Sequence, residues 1–359
     1  MMKPSLKSGI ALFAAGTLLG WSAASGRVSL SRALSQEKAL AASSERYPDG
    51  TLRTRIGELK FENGYPSQAT TTKLFDEIDF QRACQAYLWA LPLVSFAEWQ
   101  QAHEKTFGAS DGDLVIYADY QAKLGILTPN VTTPYITAFA DLARTGPLVL
   151  DTPGGLTSGG VGDFWQRPVV DFGLTGPDKG MGGKYLLLGP EQEDPKPGGY
   201  RVFRSSTNNT ILGYRVLSTD PKESKELLER FRIYPYAKRE SPPATRRLTT
   251  GGKRWSAMPP RGLAYWERLH AILQREPVQE RDRFFMAMLK PLGIEKGKPF
   301  QPTDRQKNLL TEAVLVGEAM AKANDFSRRL EGIAVWEGRR WEIAMCLDPS
   351  QRLENFDQL

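Results

Sequence analysis

Histidine and cysteine are nearly absent from this chain, at two residues each out of 359. His103 and His270 have no second His or Cys at metal-ligand spacing, which excludes a histidine-rich zinc site. Oxygen donors from Asp and Glu are what remains, and they form no EF-hand pattern. Neither a metal nor a cofactor is expected. Cys84 and Cys346 stand far apart; an oxidising compartment permits a disulfide between them, but sequence does not bring them together. Cys84 falls among apolar residues of an expected helix and reads as a small buried hydrophobe. Beyond the first 26 residues no apolar run approaches the ~20 residues a membrane-crossing helix needs. Dense basic clusters are missing too. The formal net charge of +6 is carried by scattered pairs such as Arg246-Arg247, Arg328-Arg329 and Arg339-Arg340. Nucleic-acid binders gather such charge on one face, so no nucleic-acid partner is expected. There are no internal repeats and no low-complexity tract.

What is present begins with an address. Lys3 and Lys7 precede the uncharged stretch Gly9–Ala24, and Ser22-Ala23-Ala24-Ser25 supplies small residues for a signal peptidase. Residues 1–26 therefore read as a signal peptide or N-terminal anchor. Cleavage is favoured because the run is short. The expected location is the periplasm or cell envelope, with membrane contact only through this segment if it stays uncleaved. Apolar residues make up 41% of the chain, enough for a sizeable core.

Residues 27–70 read as a flexible lead-in, Ser- and Ala-rich and then turn-prone at Tyr47-Pro48-Asp49-Gly50 and Glu62-Asn63-Gly64-Tyr65-Pro66. From Thr71 or Thr72, apolar residues at helical spacing predict a helix that Pro92 ends or kinks. Short runs rich in β-branched and aromatic residues follow at 114–118, 135–142, 148–151, 161–172, 184–188, 200–204 and 211–217. Turn residues separate them. Helices return near 221–231, 262–275, 279–290 and 304–331, the last closed by Gly332. The expected fold class is α+β: an antiparallel β-sandwich preceded by a helix and followed by several helices. Its domains are 71–220, helix plus sandwich, and 221–359, a helical region.

Two motif-like segments have plain readings. Gly155-Leu156-Thr157-Ser158-Gly159 has the outline of a nucleophile elbow with threonine at its centre, but it precedes a strand and reads as a flexible turn. Gly180-Met181-Gly182-Gly183-Lys184-Tyr185 lacks the opening Gly and the Ser or Thr of a P-loop and reads as a hairpin turn. Candidate site residues come from elsewhere. If 163–171 is one strand, Asp163, Trp165, Arg167 and Asp171 share a face. Carboxylates around an arginine can bind polar groups or act as acid and base, and a surface charge ladder is the plain alternative. Asn130 and Tyr135 lie in a loop restrained by Pro129 and Pro134.

DFQRACQAYLWALP (79–92), NVTTPYITAFADL (130–142), GPLVLDTP (146–153) and GKYLLLGP (183–190) together resemble the exported bacterial family called domain of unknown function 1254. DFWQRPVVD (163–171), GPDK (176–179) and IEKGKPF (294–300) are most similar to one of its subgroups. The resemblance implies a β-sandwich. It often brings a following jelly-roll-like domain of unknown function 1214; this chain stops at Leu359, as either a shortened member or a fragment would. It supplies no activity. It also implies an acidic residue between Asn130 and Tyr135, where this chain has Thr132-Thr133.

Three functions stay open. The first is ligand binding on the sandwich through Asp163, Trp165, Arg167 and Asp171, with Asn130 and Tyr135 nearby. The second is a hydrolase using Asp163 or Asp171 as acid or base. The third is a structural or assembly module for a C-terminal domain, which predicts exposed apolar surface near the C-terminus.

Overall fold

The computed structural model describes residues 50–117, 125–126, 133–196, 198–326, 335–339 and 341. The signal segment, Asn130, Gly332 and Cys346 fall outside them. The chain divides into two compact units, before and after the Glu77–Ile78 junction.

In the first unit, residues 50–66 are not a flexible lead-in. They form strands β1 (Gly50–Thr54), β2 (Gly57–Glu62) and β3 (Tyr65–Pro66), paired antiparallel in that order. The turn signal is itself the reason. Asn63 and Gly64 take φ of 54° and 80°, and Glu62 pairs with Tyr65 across them, the two-residue hairpin that Asn-Gly favours. Helix α1 (Gln68–Ala102) starts earlier than expected, because the Ser67 hydroxyl accepts from the Thr70 amide.

The same helix carries the chain into the second unit, and Pro92 does not end it. A mid-helix proline costs about 3 kcal/mol. Buried Ala83, Ala86, Ala90, Leu93 and Val94 offset that by packing against the helices that come after α2 (Leu142–Thr145) and α3 (Pro221–Arg230), namely α4 (Leu263–Arg275), α5 (Arg283–Leu289) and α6 (Asp304–Phe326). Trp266, fully buried, donates its indole N–H to the Leu310 carbonyl at 2.9 Å. Removing such a core aromatic typically costs about 3–5 kcal/mol. Cys84 is buried in this cluster.

The strands form two further sheets and no closed barrel among the described residues. One has the order β10-β9-β6-β12, from Tyr200–Arg204, Gly183–Leu188, Leu148–Thr152 and Arg232–Pro235. The other has the order β13-β4-β5-β11-β7-β8. Its strands are Arg247–Thr249, Leu114–Tyr117, Tyr135–Asp141, Asn209–Val216, Thr157–Asp163 and Pro168–Gly173. The fold is mixed α+β, but the sheets are not purely antiparallel: β10 pairs parallel with β9, and β13 with β4. Strands β12 and β13 went unread because each is only three or four residues long, too short for alternation to show, and includes an arginine with a proline or a threonine. Leu150, Tyr185 and Ile233 of the first sheet share one core cluster with Ile136, Leu212 and Phe172 of the second. The opposite face of the second sheet turns Phe139 and Ile211 toward the helices.

Residues 161–172, expected as one strand, are a hairpin. Strand β7 begins at Thr157, so the elbow-like segment is its opening rather than a flexible turn, and β7 pairs antiparallel with β8. The glycine-rich 180–185 segment is not a hairpin turn either, since it links β8 and β9 of different sheets. Asp178 of the GPDK motif organises that link. It is fully buried and accepts from the Gly173 amide (2.8 Å), the Gly182 amide (3.0 Å) and the Tyr185 hydroxyl (2.7 Å). At the start of β11, buried Glu276 accepts from the Asn209 amide (2.9 Å) and its Nδ2 (2.6 Å), which ties α4 to the central strand of the larger sheet.

Candidate functional site

Strand alternation decides which side chains meet on the helix-side face of the six-stranded sheet. Tyr117 of β4 stands opposite Tyr135 of β5, Tyr135 opposite Arg215 of β11, and Arg215 opposite Ser158 of β7. These four positions form one row across four strands. In the neighbouring row, Val115, Thr137, Gly213, Gly160 and Asp171 align in the same way. Two adjacent glycines leave that row without side chains at its centre. A cavity of about 330 Å³ lies along these rows. Tyr117, Tyr135, Thr137, Gly213 and Arg215 are among its walls, and Trp99 of α1 adds another. A Cβ built on Gly213 meets nothing within 4 Å, so this glycine keeps space open. Gly159 differs: a Cβ there would lie 2.3 Å from the Phe172 ring and 2.5 Å from the Gly213 carbonyl oxygen, so the strands need a glycine to approach this closely.

A polar network anchors the aromatic end. The Tyr117 hydroxyl lies 2.7 Å from His103 Nε2 and 2.9 Å from the Thr137 hydroxyl, and accepts from the Trp99 indole N–H at 2.9 Å. His103 is 1% exposed and opens a single π-helical turn, His103–Phe107, directly after α1. Such wide turns recur at functional sites. Burial alone lowers its pKa to about 3, so the imidazole is neutral. The same burial pushes the Tyr117 phenol well above its ordinary range. At the other end, the Arg215 guanidinium lies 4.8 Å from the centre of the Tyr135 ring and donates to the Thr133 hydroxyl.

The expected constellation of Asp163, Trp165, Arg167 and Asp171 does not share one strand face. Asp163 ends β7, fully buried. Its carboxylate accepts from the Trp165 and Arg167 amides, each at 2.9 Å, and from the Ser206 hydroxyl. Trp165 and Arg167 belong to the turn, in which Gln166 takes φ of 62°. Trp165 packs on Trp89 at 4.9 Å between ring centres, and the Arg281 guanidinium covers it at 5.7 Å. Its packing partner Trp89 on α1 accounts for an aromatic residue at this position. Burial raises the Asp163 pKa against those hydrogen bonds and nearby arginines. Asp171 alone of the four lies on the cavity's side of the sheet. It is exposed and outside the lining, and its carboxylate oxygen comes within 2.8 Å of where a Gly160 Cβ would be. Partial burial raises its pKa. Tyr135 does line the cavity.

Trp99, His103, Tyr117, Thr137 and Arg215 were not singled out from sequence. Alternation within 114–117, 135–141 and 209–216 was the available signal, but it does not say which strands become neighbours. Among the described residues no group of three His, Cys, Asp or Glu could hold a metal ion, and no helix is long and apolar enough to cross a membrane.

Residues 114–235 match the family model described as Protein of unknown function (DUF1254). The match is to this segment of the chain. That segment runs from β4 to β12 and supplies Tyr117, Tyr135, Thr137, Gly213 and Arg215, whereas Trp99 and His103 precede it. No curated protein matches the chain. Among solved structures, the VPA0106 protein from Vibrio parahaemolyticus is similar at a TM-score of 0.52 and 15% identity. That similarity covers 69% of this chain and 59% of that one, so the chain spans less than two thirds of that protein's length. At this identity the likeness is one of fold. An uncharacterized protein from Burkholderia cenocepacia aligns at a TM-score of 0.28 and 12% identity, over 73% of this chain and 63% of that one. A likeness that low carries no argument.

Proposed function

We propose that this chain is an exported protein of the periplasm or cell envelope that binds a small molecule beside its larger sheet. The two larger sheets then act as the layers of a β-sandwich, a reading supported by the core cluster they share. Export is supported by the order of charge, apolar run and small residues in 1–26. The observation that carries the binding reading is the cavity of about 330 Å³, walled by aromatic rings and kept open at Gly213. Its volume lies at the lower end of the ~300–1,000 Å³ usual for ligand sites, and a mostly apolar wall with a few polar groups is their usual character.

A thermal-shift screen of the full chain against small aromatic and aliphatic compounds tests it. A true ligand at a hundredfold excess over Kd raises Tm by about 5 °C or more. Gly213→Leu, which fills the cavity, removes that rise. The reading fails if no compound shifts the wild type, or if the variant responds equally.

The hydrolase reading rests on Asp171, since Asp163 is engaged in the turn. The Asp171 carboxylate has no hydrogen-bond or ion-pair partner among the described residues, and its pKa is raised by partial burial. If the wild type hydrolyses p-nitrophenyl esters and Asp171→Asn does so equally fast, the reading is excluded. The assembly reading draws on exposed Leu315, Met320, Phe326, Trp336 and Trp341. Mixing the chain with a separately produced jelly-roll-like domain in sedimentation velocity decides it, and two unshifted boundaries would count against it.

A further inference from the structure

We infer that the cavity's ligand is an anion with a flat apolar body, its carboxylate, sulfonate or phosphate group meeting Arg215. This rests on the cavity being a binding site. Arg215 is the only charged side chain among the described lining residues, and no carboxylate stands among them to neutralise it or to repel an anion. No ion pair among the described residues includes Arg215. Its guanidinium offers five N–H donors in a planar fork. One nitrogen donates to Thr133, and the buried Nε has no partner among the described residues.

Withdrawing a guanidinium from water without a counter-charge is costly, and an unmade donor adds to that cost. The stack against Tyr135 at 4.8 Å fixes the group in place, so little ordering is left for binding to bring about. Ser158, next in the row, presents a hydroxyl on the far side of Arg215. Tyr117 stands two strands away, roughly 10 Å at ~4.8 Å per strand. With Trp99 it offers ring faces and neutral polar groups only. An elongated ligand fits this polarity, charged at one end and flat and apolar toward the other. Asp171 lies two strands from Arg215 in the opposite direction, beyond Gly160 and outside the lining.

Two probes with the same ring system separate the charge from the cavity: anilinonaphthalene sulfonate and uncharged phenylnaphthylamine, titrated by fluorescence into the full chain. The sulfonate should bind the wild type roughly tenfold or more tightly than the amine, the scale of a charge-assisted pair. Arg215→Gln should abolish that preference, so that the two probes bind this variant with equal affinity. Arg215→Lys, which keeps the charge without the fork, should retain part of it. Equal affinity for the two probes in the wild type, or a preference that survives Arg215→Gln, overturns the anion assignment and leaves the cavity reading standing. If neither probe saturates, or Gly213→Leu changes neither titration, the cavity reading falls and takes this inference with it.

Discussion

His103 makes the second unit acid-sensitive in a way that can be calculated. Its ring is enclosed by Trp99, Tyr117, Phe139 and Trp255, and burial lowers its pKa from 6.5 to about 3. No charged group contributes to the shift. Above the unfolded value both states are neutral, and the folded state keeps its full stability. As pH falls, the unfolded chain takes up a proton that the folded chain refuses. Stability then drops by about 1.4 kcal/mol per pH unit until the folded value is reached. The loss is about 2 kcal/mol at about pH 5 and at most near 5 kcal/mol at about pH 3. Asp163, Glu276 and Asp282 act in the opposite sense, because burial raises their pKa values and the folded state holds their protons more tightly. His103→Phe keeps the aromatic shape and leaves the Tyr117 hydroxyl its contacts with Trp99 and Thr137. The three carboxyls titrate alike in both proteins, so the difference between their pH slopes isolates the histidine. Urea denaturation at about pH 7.5 and about pH 5 should show the wild type losing about 2 kcal/mol more than His103→Phe. Equal slopes would refute the reasoning and mean that the imidazole protonates within the fold.

Substitutions at four other residues have defined outcomes. Asp163→Ala should cost about 2–3 kcal/mol by stranding the Trp165 and Arg167 amides and Ser206. Asp163→Asn should recover most of that in urea denaturation, because one amide oxygen can still accept both N–H groups; ligand affinity of the cavity should change in neither. Asp178→Asn should lose about 1–3 kcal/mol, since its NH₂ would face either the Gly182 amide or the Gly173 amide and Tyr185 hydroxyl together, donor against donor. A drop below measurable size by calorimetry would mean that the 173–182 link has other supports. Gly159→Ala should cost at least about 2 kcal/mol by forcing Phe172 and β11 apart. Gly213→Ala should be neutral or slightly stabilising, by up to about 1 kcal/mol, from the strand's lower backbone entropy loss.

Local periodicity carried much of the fold. Six of the seven strand segments read between 114 and 217 coincide closely with single strands, because alternation and turn residues act over a few neighbours. The exception, 161–172, hides its turn in Phe164-Trp165-Gln166-Arg167, which contains neither glycine nor proline and is held by Asp163 reaching back to two amides. Pro92 misled for the opposite reason: a local breaker was overruled by helix packing on several sides.

The candidate site was less legible. Tyr135 and Asp171 were named from sequence and lie on the cavity's side of the sheet, yet Asp163, Trp165 and Arg167 hold a turn against α1. By itself the sequence determined the match of residues 114–235 to a family model, the scarcity of histidine and cysteine, and most helices and strands. Each of these depends on residues close together in the chain. Only the tertiary structure decided that Tyr117, Tyr135, Arg215 and Ser158 form one row, with Gly213 leaving space beside it. That arrangement depends on the pairing order and register of four strands spread over about a hundred residues, and register is set by packing on both faces of the sheet rather than by any strand's own pattern.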